Sequence, residues 1–129
     1  IAIELNPHAV ENMRENIILN KQQERVEAVL GDVNKVVPKK YKGKFDRVVM
    51  PLPKGGENFL AASISSIKSS GGVVHFYQFV PIDDPYSESL KLIREECKKQ
   101  GRKCRVLSKK KVRSFSARAI QVVIDFRVK

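Results

Sequence analysis

The chain has 129 residues, enough for one domain with a real core, and 42% of them are apolar, which excludes a disordered chain. Lys and Arg number 25 against 14 Asp and Glu, a formal net charge of +11. That excess points to a polyanionic partner, nucleic acid before membrane, with a generally Lys-rich proteome as the alternative source of the charge.

No apolar run approaches membrane-spanning length and no signal peptide is visible, so no membrane partner is expected. Cys97 and Cys104 have neither metal-ligand company nor the density of a disulfide scaffold. A reduced, cytoplasmic setting without a metal site is the expectation. His8 and His75 each lack a second ligand at metal spacing and read as structural.

In chain order, residues 1–5 read as an apolar strand with Glu4 near its end. Because the chain opens on Ile1 inside that strand, it reads as a fragment whose upstream part lies outside this sequence. Asn6-Pro7 is a helix start, with Asn as cap and Pro suited to the first helical position. Val10, Met13, Ile17 and Ile18 follow at helical spacing. Residues 26–30 form the next strand and run into Gly31-Asp32. A short turn of helix over 33–37 is closed by Pro38, and a basic loop covers 39–44.

A third strand over 45–50 ends on Pro51-Leu52-Pro53, whose prolines cannot continue a ladder. A helix over 57–69 stops at Gly71-Gly72, and a fourth strand covers 73–79. A second long helix over 87–100 is stopped by Gly101. The tail predicts a strand over 103–107, a basic connector over 109–117 and a last strand over 119–128. Strands alternating with helices give an α/β fold with a mostly parallel sheet. The final two strands follow each other directly, so that pair is expected to be antiparallel.

Glu4, Asp32 and the loop over 50–53 then stand at the carboxyl ends of three successive strands. Crossovers place those ends on one sheet edge, where open α/β folds bind ligands. An acid there can accept from ribose hydroxyls, and the next acid from an adenine amine. A carboxylate beside a helix N-terminus is the competing explanation for each. Lys39, Lys40, Lys42 and Lys44 form one basic cluster. Arg102, Lys103, Arg105, Lys109, Lys110, Lys111 and Arg113 form another. Each is either a solvated face or a contact to RNA phosphates. Tyr77 and Phe79 can stack on a base, although alternate strand residues are more often core.

The segments Ala2-Ile-Glu-Leu-Asn-Pro7, Glu11-Asn-Met-Arg-Glu-Asn16, Leu19-Asn-Lys21, Gly31-Asp-Val33, Asp46-Arg-Val-Val-Met-Pro-Leu-Pro53, Phe59-Leu60 and Gly71-Gly-Val-Val-His-Phe-Tyr77 stand in an order that resembles one family. That family is the archaeal and eukaryotic tRNA (guanine37-N1)-methyltransferases, class I enzymes that use S-adenosylmethionine. Val112-Arg-Ser-Phe-Ser-Ala-Arg118 and Gln121-Val-Val-Ile-Asp-Phe126 resemble its carboxyl end.

The resemblance implies a Rossmann-like class I methyltransferase sheet that lacks its first strand and Gly-rich loop, so residues 1–129 are a partial catalytic domain. It implies S-adenosylmethionine as cofactor, with Glu4 on the ribose and Asp32 near the adenine. Pro51, Leu52 and Pro53 match a loop beside the target guanine, with Pro51 where an Asn amide is usual. It implies tRNA as partner, and with the net charge of +11 the basic run Lys109, Lys110, Lys111 and Arg113 is then expected either to touch its phosphates or to be a solvated face. The family's proton acceptor matches no residue here, so no complete catalytic set is expected in this chain. Some members with Pro at this loop position are linked to a second methylation of a wyosine intermediate. Two rivals remain open: a wyosine-pathway aminocarboxypropyl transferase, and a basic α/β RNA-binding module without activity.

Overall fold

The computed structural model describes all 129 residues, from Ile1 to Lys129. Two strand groups frame it. The first pairs β1 (Ala2–Glu4) with β2 (Ala28–Leu30) in parallel, joined by α1 (Pro7–Leu19). Asn6 caps α1 by accepting the His8 N–H at 3.0 Å, and Pro7 opens the helix without a donor to lose. Of the apolar face expected on α1, only Val10 is buried, while Ile18 and Leu19 face solvent.

The second group is a four-stranded sheet in the order β3-β4-β6-β5. It contains β3 (Arg47–Met50), β4 (Gly72–Pro81), β5 (Cys104–Ser114) and β6 (Ala119–Val128). The β3–β4 pair is parallel, and β6 runs antiparallel to both β4 and β5. Antiparallel pairing therefore extends one strand further into the sheet than the expected final pair. Gly72 lets β4 start tight against β3, because a Cβ there would lie 2.5 Å from the Asp46 carbonyl oxygen.

Three connections differ from the expectation. The short α2 (Val33–Val36) does not end at Pro38 but passes into a π-helical turn, Val37–Tyr41. Pro38 stands at the start of that turn, where a missing N–H is tolerated. The helix expected over 57–69 is a 3-10 turn, Gly56–Phe59, followed by α3 (Leu60–Ser66). Ile67 leaves the helix because it bridges to Phe45 beside the start of β3. The residues expected as a basic connector belong largely to β5, which runs to Ser114. Pairing with the buried β6 outweighs the poor strand propensity of three lysines, and lysines on an edge strand also discourage pairing with other chains.

Helices α3 and α4 (Ser87–Lys99) cover one face of this sheet. Leu60, Ile64 and Ile67 meet Val74, Phe76, Ile124, Phe126 and Val128 there, with Ile93 and Cys97 from α4. Burial pushes the Cys97 thiol up to about 12, and Cys104 beside it adds to the shift. Cys97 is therefore expected to resist alkylation in native protein at pH 8 and to react once denaturant is added. Labelling of Cys97 in the native state at the rate of a free thiol would contradict this packing.

On the opposite face a chain of side chains crosses all four strands. Arg47 Nη1 donates to His75 Nε2 at 2.8 Å, since a guanidinium only donates. His75 Nδ1 then carries the proton and donates to Asp125 Oδ1 at 2.7 Å. Ser108 donates to Asp125 Oδ2 at 2.6 Å. Burial opposes ionisation of Asp125, but the bonds from Ser108 and His75 and the charge of Lys110 outweigh it and hold the carboxyl below its ordinary range. A lowered native value means that the stabilisation is present above the unfolded value of about 3.9 and is lost as pH falls through the native one. Asp125→Asn is expected to lower stability by about 1–2 kcal/mol at pH 7. In urea unfolding the gap between variant and wild type should close at acid pH; a gap that is the same at pH 7 and below pH 3 would sink this account.

Candidate functional site

Parallel pairing aligns Glu4 with Leu30, so Glu4 and the Gly31-Asp32 step leave their strands at the same edge. Backbone bonds fix them there. Gly31 N–H donates to the Glu4 carbonyl at 2.9 Å, and Asn6 N–H donates to Glu4 Oε1 at 2.8 Å. Asp32 caps α2 by accepting the Asn34 N–H on Oδ1 at 2.9 Å. Each acid thus commits one oxygen to its own turn. Neither Glu4 Oε2 nor Asp32 Oδ2 has a hydrogen-bond partner within the chain. Gly31 keeps this corner tight, since a Cβ on it would come within 2.6 Å of Val36 Cγ2.

The two acids share a cleft of about 970 Å³ with the end of β3. Ile3, Glu4, Asp32, Val37, Met50, Pro51, Leu52 and Phe59 are among its walls. The volume lies at the upper end of the range of small-molecule sites. The cleft also separates the two strand groups: β1 pairs only with β2, β3 pairs only with β4, and both line it. Asn34 was not singled out from the sequence. Its Nδ2 donates to the Asn58 carbonyl at 3.2 Å and ties the corner after β2 to the turn after β3. The available signal was an amide two residues after a capping acid.

The proline loop divides. Pro51 and Leu52 line the cleft and are exposed, whereas Pro53 does not line it. Pro53 instead accepts the Phe79 N–H at 3.1 Å, which fastens the loop to β4.

The basic run is not one patch. Register breaks between Val106 and Ser108 and between Lys111 and Arg113 leave Leu107 and Val112 as the extra residues of two bulges. Lys109 and Lys111 sit opposite Ile124 and Val122, on the helix-covered side, and Lys109 lies 5.0 Å from the centre of the Tyr86 ring. Lys110 and Arg113 sit opposite Val123 and Gln121, on the Asp125 side. None of the four lines the cleft. No group of three or more His, Cys, Asp or Glu side chains is placed to hold a metal ion, and no helix is long and apolar enough to cross a membrane.

A mixed sheet with two acidic strand ends and a stiff loop around one edge cleft is the arrangement of class I methyltransferases. The model of the TRM5/TYW2 methyltransferase domain matches residues 1–107, and the chain belongs to this family. It is 42% identical over 127 residues to the tRNA (guanine(37)-N(1))-methyltransferase Trm5b of Pyrococcus abyssi, covering 98% of this chain and 36% of that protein. A crystal structure of Methanocaldococcus jannaschii TYW2 in complex with AdoMet superposes with a TM-score of 0.91 at 28% identity, over 99% of this chain and 56% of that one. The complex structure of aTrm5 and tRNALeu gives a TM-score of 0.84 at 34% identity, over 99% and 34% of the two chains. The chain therefore spans about a third of the length of the Trm5b relatives from Pyrococcus abyssi and Methanocaldococcus jannaschii.

Proposed function

We propose that this chain is the cofactor-binding and base-facing part of a tRNA (guanine37-N1)-methyltransferase. The observation that carries the reading is the single cleft in which Glu4, Asp32, Pro51 and Leu52 meet. Glu4 Oε2 is placed to accept from the vicinal hydroxyls of a ribose, and Asp32 Oδ2 from an adenine amine. Ile3, Val37 and Phe59 supply apolar walls for a purine. This donor-poor, acceptor-ended set fits the adenosine half of S-adenosylmethionine, which when bound supplies an electrophilic methyl group. The name of the Pyrococcus abyssi relative and the AdoMet and tRNA complexes of the solved structures support the same assignment.

In this reading Pro51 and Leu52 form a preorganised floor beside the target guanine. Proline at position 51 offers a fixed backbone and no side-chain amide, so base contact falls to carbonyl groups and to the Leu52 side chain. The enzyme's contribution is then chiefly positioning, with removal of the N1 proton assigned to a group outside the residues named here. A tRNA partner supports the cytoplasmic setting expected from the two unpaired cysteines. A strand from elsewhere in the intact enzyme would pair with the cleft-facing edges of β1 and β3, joining the two strand groups into one sheet.

Glu4→Ala or Asp32→Ala in the full-length protein is expected to weaken S-adenosylmethionine binding about tenfold, the loss typical of a charged hydrogen bond. Calorimetric titration measures it. Unchanged affinity in both variants would remove the cofactor assignment and favour a binding module. Analysis of the product on defined tRNA separates a methyl group on guanine N1 from an aminocarboxypropyl group on a wyosine intermediate.

The +11 charge supports a second, weaker element of the proposal, that Lys109, Lys110, Lys111 and Arg113 contact tRNA phosphates. Replacing Lys109, Lys110 and Lys111 together should weaken tRNA binding. Its log–log salt slope should drop by about 0.7–0.9 for each phosphate no longer neutralised. An unchanged slope would show that these lysines are only a solvated face.

A further inference from the structure

The hairpin that ends the chain places an aromatic surface at the same sheet edge as the proline loop. Phe115 lies in the turn between β5 and β6, where its N–H and that of Ser116 both donate to the Ala119 carbonyl at 3.0 Å. The turn is therefore fixed, yet Phe115 is 55% exposed. One side of its ring stacks on Phe79, with centroids 4.0 Å apart and planes 25° from parallel. Arg113 lies 5.9 Å from the centre of the Phe79 ring, and its Nε donates to Gln121 Oε1 at 2.7 Å. Phe79 is the residue whose N–H holds the Pro53 carbonyl. Lys110 and Arg118 add exposed positive charge on the same hairpin.

Phe79 belongs to the β4 face turned away from the helix-covered core, and neither ring belongs to the buried core clusters. A large exposed ring, stacked on a second one that has an arginine beside it, matches the surfaces that hold unpaired nucleotides. Such surfaces stack bases on aromatic faces and meet the backbone with cations. An acidic peptide would use the charges but would leave the open ring face without a flat partner. We infer that Phe115, backed by Phe79 with Arg113 beside it, is a stacking platform for the base next to the one presented to the proline loop. This rests on the tRNA reading above and adds a specificity-determining contact to it.

The test uses the full-length protein and an unmodified tRNA transcript. Phe115→Ala and Phe115→Leu are each expected to weaken tRNA binding about tenfold, while Phe115→Trp keeps wild-type affinity. S-adenosylmethionine affinity and the salt slope should not move in any of the three. A transcript that is abasic on one side of position 37 should bind wild type as weakly as the Ala variant binds normal tRNA, and should lose nothing further with that variant. Wild-type affinity in Phe115→Leu would show that the ring serves only as apolar packing and would overturn the platform. So would losses that add independently between the variant and both abasic transcripts. A wild-type protein that does not bind the transcript at all would overturn the tRNA reading as well; one that methylates it, with a Phe115→Ala variant indistinguishable from it, would overturn the platform alone.

Discussion

Parallel pairing is the constraint on which the site depends. Because β1 pairs with β2 and β3 with β4 in the same direction, each strand must end at the edge from which the next connection leaves. Glu4, Asp32 and Pro51 are far apart in sequence, and no direct contact between them holds them together. Strand direction delivers Glu4 and Asp32 to one rim, and the cleft sets the end of β3 with Pro51 against them. Short backbone bonds then fix each corner: Gly31 to Glu4, Asn34 to Asp32, and Phe79 to Pro53. The carboxylates gain a set orientation while each keeps one oxygen free of partners within the chain.

The other half of the molecule is organised by β6. It is paired on both sides over almost its whole length, and Ile124, Phe126 and Val128 bury one of its faces against α3 and α4. Its other face carries Asp125, the centre of the relay from Arg47 to Ser108. A bulge at Leu107 is what turns Ser108 to that side, since an unbroken β5 would have aimed it at the opposite face. A second bulge at Val112 does the same for Arg113 and brings it over Phe79. Two inserted residues therefore decide both the polar link across the sheet and the cationic flank of the aromatic pair.

His75, Asp125 and Ser108 contain the residue types of a hydrolase triad, but the order is wrong for one. The serine donates to the aspartate, and the imidazole nitrogen that would act as base is already taken by Arg47. The chain of bonds is a sheet cross-link. It ties the outermost strand, β5, to the strand that leads into the proline loop, so the basic hairpin and the proline loop are built on one cross-linked sheet.

Much of this was legible in the sequence because it depends on local chemistry. Asn6-Pro7 marks a helix start wherever it stands, Gly71-Gly72 ends one, and apolar strands leading into Glu4, Asp32 and Pro51 announce the edge of an α/β sheet. The alternation of strands and helices fixed the fold class for the same reason. What only the tertiary structure decided depends on pairing between distant segments. Lys109, Lys110 and Lys111 form strand because β6 offers them a ladder, and no local preference predicts that. The two bulges depend on register, so the sequence displays one basic cluster where the sheet makes two faces. Pro53 is separated from Pro51 and Leu52 by a single hydrogen bond from Phe79, and the exposure of Phe115 beside that bond is set by a turn whose neighbours lie 36 residues upstream.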